Sequence, residues 1–250
     1  MDRRIHIDRE NNCWLDNLFG LGYQYWKEVV SVLHSIIPVY DKVNMAISLG
    51  KANKYRLKGI HGSINPCNKV LDAGSGFGNM SKIAAYETDQ RLEIILYDPL
   101  SKMLSATRNF LPASVDKSLS SGIFEYMPFK DQVFDAVLCG YSLRDAIQLD
   151  VAIEELYRVL KKGGILVVVD LGKPNNKFLR FLVSFYLKYA LAVIAFFVAG
   201  QAGLRFKTLH GTFKKWPTNS DLYSLLAARF TKVKFQTGLM GGAIIVLAYK

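Results

Sequence analysis

The 250-residue chain has only three cysteines, Cys13, Cys67 and Cys139, scattered without any metal-ligand spacing. That scarcity excludes a structural zinc and a disulfide framework, and it points to a reducing, cytoplasmic compartment. Histidine is equally sparse. Of four, His6, His34 and His61 belong to no constellation, and only His210 sits in a segment worth weighing as an orienting group. No signal peptide is expected, because the first residues are charged and lack an apolar core. The uncharged run Tyr189–Leu204 is sixteen residues, short of the roughly eighteen that suggest a spanning helix. Acidic residues are nearly missing from the C-terminal third. Between Lys173 and Lys234 there are eleven Lys or Arg and one acid, so 11 − 1 = +10 of the net +11 lies there. Such a face suits an anionic membrane surface, nucleic acid or plain solvent. Base-capture motifs and an added RNA-binding module are lacking too, so nucleic acid is not favoured.

What is present is an apolar half of the residues and enough length for one α/β domain with additions. Val70–Met80 reads Val-Leu-Asp-Ala-Gly-Ser-Gly-Phe-Gly-Asn-Met. A short β run ends in a carboxylate, three alternating glycines follow, and a helical pattern starts near Asn79. The glycines let the backbone turn and approach a ligand where a Cβ would collide. The third comes one residue too early for the dinucleotide fingerprint that seats a pyrophosphate, and Asp72 suits a cation better than a phosphate. The stretch resembles motif I of the class I methyltransferases, whose ligand S-adenosylmethionine carries an ammonium and a sulfonium but no phosphate. A second β run, Leu92–Tyr97, ends at Asp98, twenty residues beyond Gly78. In a doubly wound sheet that carboxylate lies beside the first strand's end and can accept both ribose hydroxyls.

Around this centre the periodicity predicts residues 1–12 as a fraying end and one or two helices over Cys13–Ile37, ending before Pro38. A further helix runs to about His61. Ser101–Phe110 is predicted as a helix, with a third strand within Leu111–Ser121 and a fourth at Ala136–Cys139. Then come a helix over Asp150–Leu160, a turn at Lys161–Gly164 and a buried strand at Ile165–Asp170. Phe178–Val198 is apolar on every side except Arg180 and Lys188; it is expected to be a buried cap helix or, beyond that, a wall for a lipid tail. A helix from Pro217 to Phe230 and a hairpin of Thr231–Gln236 with Ala243–Tyr249 close the chain.

Four motifs carry a more specific resemblance. Tyr40-Asp41-x-x-Asn44-x-x-Ile47-Ser48-x-Gly50 with Tyr55-Arg56 resembles the first signature of the ubiquinone/menaquinone biosynthesis C-methyltransferase family. Met127-Pro128-Phe129-x-Asp131-x-x-Phe134-Asp135, Leu143-Arg144-Asp145, and Arg158-Val-Leu-Lys-Lys-Gly163-Gly164 with the strand to Asp170 resemble its later segments. The chain departs from the family in having Asp170-Leu171-Gly172 for Glu-Phe-Ser, Arg144-Asp145 for Arg-Asn, and Ile123 where an amide or carboxylate often meets adenine. The resemblance implies a Rossmann-like sheet of seven strands, mostly parallel, with a closing antiparallel hairpin. It implies a helical extension or lid over 1–61, a methyltransferase domain over 62–250, and a cap at about 174–216.

For the cofactor the expected residues are Asp72, Gly74, Ser75, Gly76, Phe77, Gly78, Asp98, Pro99, Phe124, Gly140, Tyr40 and Asn44, with no metal. For catalysis they are Arg144, Asp145 and Tyr141, with Arg144 pairing a phenolate and Asp145 accepting a proton. The implied substrate is a lipophilic quinol or quinone precursor, its tail along Phe181, Phe185, Leu191 and Phe196. The implied place is cytoplasmic, peripheral at the inner face of the membrane, and a homodimer is left open. Methylation of another lipophilic molecule or lipid, of RNA, or a non-catalytic cofactor-binding subunit are the competing readings.

Overall fold

The computed structural model describes residues 19–48, 50–107 and 110–250. The expectations for residues 1–12 and for the start of the helical run at Cys13 lie outside them. In chain order the elements are α1 (Tyr23–Ile36), α2 (Tyr40–Ile47), α3 (Ala52–Ile60), β1 (Lys69–Ala73), α4 (Asn79–Glu87), β2 (Glu93–Tyr97), α5 (Ser101–Thr107) and β3 (Asp116–Ser120). They continue with β4 (Phe134–Gly140), α6 (Leu149–Val159), β5 (Leu160–Leu171), α7 (Lys177–Phe185), α8 (Leu191–Ala199), α9 (Thr208–Lys215), α10 (Asn219–Ala227), β6 (Lys232–Gly238) and β7 (Ala243–Tyr249).

The seven strands form one sheet in the order β3-β2-β1-β4-β5-β7-β6. The first five are parallel, and β7 pairs antiparallel with both β5 and β6. Strands β1, β4 and β5 are buried on both faces, which is why they read as apolar runs rather than alternating ones. On one side Leu156 and Ile153 of α6 and Leu226 of α10 pack with Leu71, Val137 and Val246. On the other, Ile60 of α3 and Met80 and Ala84 of α4 pack with Val70, Leu138 and Val167. Helix α3 thus lies directly on the sheet: a Cβ on Gly59 would come within 2.9 Å of the Val169 side chain. The strand order reverses between β1 and β4, and the crevice at their carboxyl ends is where such sheets hold ligands.

Helix α1 ends at Ile36, before Pro38 as expected; the proline sits in a 3-10 turn, Ile37–Val39, that leads directly into α2, a place where its missing N–H costs nothing. Two other expectations are corrected. Lys161–Gly164 is a bulge within one long strand, not a separating turn. Between the pairs Phe134↔Leu160 and Ala136↔Ile165, two steps along β4 oppose five along β5, and Gly163 takes a φ of +76° to absorb the excess.

The second correction is the cap. From α7 a π-helical turn at Tyr186–Ala190 leads into α8, and 3-10 turns over Gly200–Lys207 lead on into α9. Leu187, Leu191, Ala195 and Phe213 bury against Ile36 and Val43, but Phe178, Phe181, Phe185, Phe196 and Phe197 are exposed. Only one side of the helix fits against the extension, and it presents leucines and alanines there; the rings point away. Among the described residues, Lys177–Phe206 is also long and apolar enough to cross a membrane, and 22% of its 18-residue apolar window is buried in the protein.

Candidate functional site

Strand β1 delivers its glycine loop to the crevice in a left-handed conformation. Gly74, Gly76 and Gly78 have φ of +69°, +52° and +74°. At Gly74 a Cβ would meet that of Ser142 at 2.4 Å, and at Gly78 it would meet Thr107 at 2.6 Å. Glycine is therefore required at both, for conformation and for space. The amides of Gly74 and Ser75 bond the Tyr97 carbonyl, tying the loop to the end of β2. Asp98 then accepts N–H bonds from Gly76 at 2.9 Å and Leu100 at 2.8 Å. Burial raises its proton affinity, and those two bonds work against the rise. A carboxylate has about four acceptor positions, so Asp98 retains capacity toward a diol.

These elements enclose a narrow cleft of about 80 Å³, lined by Tyr40, Gly74, Ser75, Gly76, Phe77, Asp98, Pro99, Phe124, Gly140, Tyr141 and Asp145. Ile123 lines it as well. Trp26, Val29, Val30 and Leu33 of α1 close the same cleft; their helical spacing was legible, but nothing in it announced a ligand. Three expected cofactor residues lie elsewhere. Asp72 sits behind the loop, where its carboxylate takes the Ser81 hydroxyl at 2.6 Å and amide at 3.1 Å. Burial pushes its pKa up to about 6. Gly78 caps α4. Asn44 faces a second cavity and bonds Tyr40.

That second cavity is larger, about 320 Å³, and mostly apolar, lined by Leu171, Leu182, Val183, Tyr186, Leu187, Leu191, Leu209 and Met240. Tyr141 and Arg56 line both spaces, and Arg144 faces the apolar one. Of the tail contacts expected from sequence, only Leu191 lines it; Phe181, Phe185 and Phe196 are on the outer face. His210 is not at the junction. It pairs with Ser184 at 3.1 Å inside the cap.

The junction is strongly charged. Arg144 donates from Nη1 to Asp170 at 2.7 Å, and its Nε stands 3.9 Å from the Asp145 carboxylate, too far for a hydrogen bond. Burial alone would lower its proton affinity, but Asp170 and Asp145 raise it, so it stays charged. Arg56 donates to Asn53 at 2.9 Å and lies 4.9 Å from the Tyr141 ring centre, in cation–π contact. Both buried guanidiniums leave Nε without a hydrogen-bond partner. Tyr141 itself holds φ +62°, a strained value at the end of β4 that aims its ring between the cavities. Burial pushes its phenol up to about 12. Asp145 is pushed up to about 6 by burial, against the pull of Arg144. The role of Asp170 was missed from sequence; its one signal was its place at the end of the strand next to the one that precedes Arg144.

Comparison with known proteins agrees with this architecture. The pattern of the ubiE/COQ5 methyltransferase family matches residues 22–250. A ubiquinone/menaquinone biosynthesis C-methyltransferase of Saccharophagus degradans is 27% identical over 88% of this chain and 90% of its own length. A demethylmenaquinone methyltransferase of Symbiobacterium thermophilum is 29% identical over 91% and 93%. Among solved structures, a SAM-dependent methyltransferase of Thermotoga maritima, described as a possible histamine N-methyltransferase, superposes with a TM-score of 0.60. It is 18% identical, covering 88% of this chain and 98% of that one, and at that identity it shows the fold.

The cleft fits S-adenosylmethionine on its own chemistry. It offers the Asp98 and Asp145 carboxylates, a glycine loop that side chains would fill, and the buried Ser75 hydroxyl, which has no protein partner.

Proposed function

Since this chain belongs to the ubiE/COQ5 methyltransferase family, we propose that it transfers a methyl group from S-adenosylmethionine to a ring carbon of a quinol that carries a hydrocarbon tail. The observation that carries the reading is the junction: a carboxylate-lined cleft and an apolar chamber share Arg56 and Tyr141 as walls, and Arg56 and Arg144 there have undirected Nε donors. Asp98 and the Ser75 hydroxyl would hold the cofactor, with Phe124 and Ile123 at its base. Bound there, S-adenosylmethionine supplies an electrophilic methyl group.

The chain's own residues make the ring carbon nucleophilic. A phenol carbon attacks poorly until its hydroxyl loses a proton. Arg144 and Arg56 lower that cost by offering hydrogen bonds to the developing oxyanion, interactions that strengthen as charge builds. Guanidinium cannot itself take the proton. Asp145, next to Arg144 and with a pKa near 6, is matched to accept it near neutral pH. Leu182, Val183 and Leu187 exclude water, so anion and cation meet in a medium where their mutual neutralisation is favoured. Tyr141 separates the two spaces and orients the ring. The chamber's walls accept the tail, with roughly 0.8 kcal/mol for each methylene buried.

Mass spectrometry and NMR of the product formed from methyl-labelled cofactor test this directly. We expect the label on a ring carbon, and kcat/KM several-fold higher for a prenylated quinol than for the bare ring. Label on oxygen, or indifference to the tail, would show the reading to be wrong.

A further inference from the structure

The cap carries an apolar face that neither cavity uses. Phe178, Phe181, Phe185, Tyr189, Val193 and Phe196 recur at three- and four-residue steps along α7, the π turn and α8 and are exposed, with Phe197 beside them exposed by 83%. Helical spacing gathers them into one stripe. The opposite side of the same helices is packed on the protein through Leu187, Leu191 and Ala195, so the segment lies along the molecule and does not stand away from it.

Around the stripe the charge has one sign. Lys177, Lys188, Arg205, Lys214 and Lys215 are exposed, and residues 174–220 contain no Asp or Glu. The imidazole of His210 loses proton affinity through burial and then through Lys214 and Lys188, so both ammonium groups lie within electrostatic reach of it. Lys188 rests 4.8 Å from the Tyr189 ring centre, its stem on apolar surface and its head free to reach outward. A second copy of this chain is a poor cover for such a face, because a two-fold contact would set these cations against themselves.

We infer that the face docks on a phospholipid bilayer containing anionic lipid, with the cap helices in the plane of the interface, the phenylalanines among the acyl chains and the lysines at the headgroups. This is the geometry of an interfacial amphipathic helix. It also puts the mouth of the apolar chamber at the acyl layer: Leu182 is both exposed and a chamber wall, and Val183 and Tyr186 follow it inward. That entry route rests on the proposed substrate; the docking face does not.

Sedimentation of the full chain with vesicles, measured without substrate, tests the face independently of the reaction. Vesicles of phosphatidylcholine alone and with phosphatidylglycerol are compared at low and high salt. We expect binding to the anionic vesicles that falls with salt. F181D/F197D should weaken it by about tenfold or more, and Lys188→Ala by about fivefold. Thermal unfolding and turnover of a short-tailed acceptor should remain those of the parent in both variants. If F181D/F197D fails to fold, K188A/K214A carries the test, and unchanged vesicle binding by that pair overturns the proposal. It is overturned too by binding indifferent to lipid charge and salt, or by resistance to alkaline carbonate extraction, which would mean a spanning helix. A dimer that F181D/F197D converts to monomer, seen by light scattering, would assign the face to a second copy instead.

Discussion

The Arg144–Asp170 pair shows how much one buried carboxylate does. Asp170 is fully buried and also accepts the amides of Arg144 at 3.3 Å and Leu171 at 2.8 Å. It therefore fixes both the guanidinium and the turn that carries it. Removing one partner of such a pair leaves an uncompensated buried charge, so Asp170→Ala should lose about 3–5 kcal/mol in urea unfolding. Arg144→Ala should lower kcat more than it raises KM, since the oxyanion contact grows toward the transition state; a fully active variant would remove Arg144 from the chemistry. Asp145 gives a pH signature. Its folded pKa is raised from 3.8 to about 6, as is that of Asp72, so the native state keeps protons that the unfolded chain has released. Their contribution to stability is present below about pH 4 and is lost as pH rises through about 6. Activity should run the opposite way, rising through pH 6 as Asp145 ionises, and Asp145→Asn should abolish that limb of the kcat/KM profile. A profile unchanged in the variant would assign the proton to another acceptor. Arg144 and Asp145 were legible because they directly follow a strand at the ligand-binding edge. Asp72 was misplaced because spacing gives the end of a strand but not which side of the loop its carboxylate takes. Ser81, in the first turn of α4, decided that.

At the level of elements, the glycine loop is constrained from two directions. Gly74→Ala would have to place a methyl group against the Ser142 side chain at 2.4 Å while holding φ at +69°. Calorimetry should show the cofactor bound at least about tenfold more weakly, from about 1–3 kcal/mol of strain; parental affinity would mean that the loop does not touch the ligand. The strands were easy to read from sequence, because β-branched runs buried on two faces have few alternative interpretations. The cap was not. An all-round apolar helix carries no internal mark of which side the protein covers, so composition implied burial where the extension reaches only one face. The bulge at Lys161–Gly164 misled for the converse reason: Lys-Lys-Gly-Gly has the composition of a turn, and only pairing to β4 and to Lys250 reveals it as an interruption within a strand.

Across the whole molecule, the charge asymmetry and the two cavities share one edge of the sheet, the carboxyl ends of β1, β4 and β5, which is why a single cap can serve both chamber and surface. The same sheet holds a less obvious consequence. Strand β7 forms seven residue pairs with β5 and seven with β6, so β6 has no neighbour in the sheet until residues 243–249 exist. During synthesis the apolar cap therefore leaves the ribosome well before the sheet beneath it can close. For that interval the nascent chain displays an unpaired β5 edge together with the phenylalanine stripe, the pairing of features most prone to aggregate. Truncation before Ala243 should accordingly abolish soluble product rather than yield a weakened enzyme, as expression and fractionation would reveal. The inferred docking face then predicts that a stalled ribosome with the cap already emerged sediments with membranes, which would make the bilayer the first partner that the nascent chain meets.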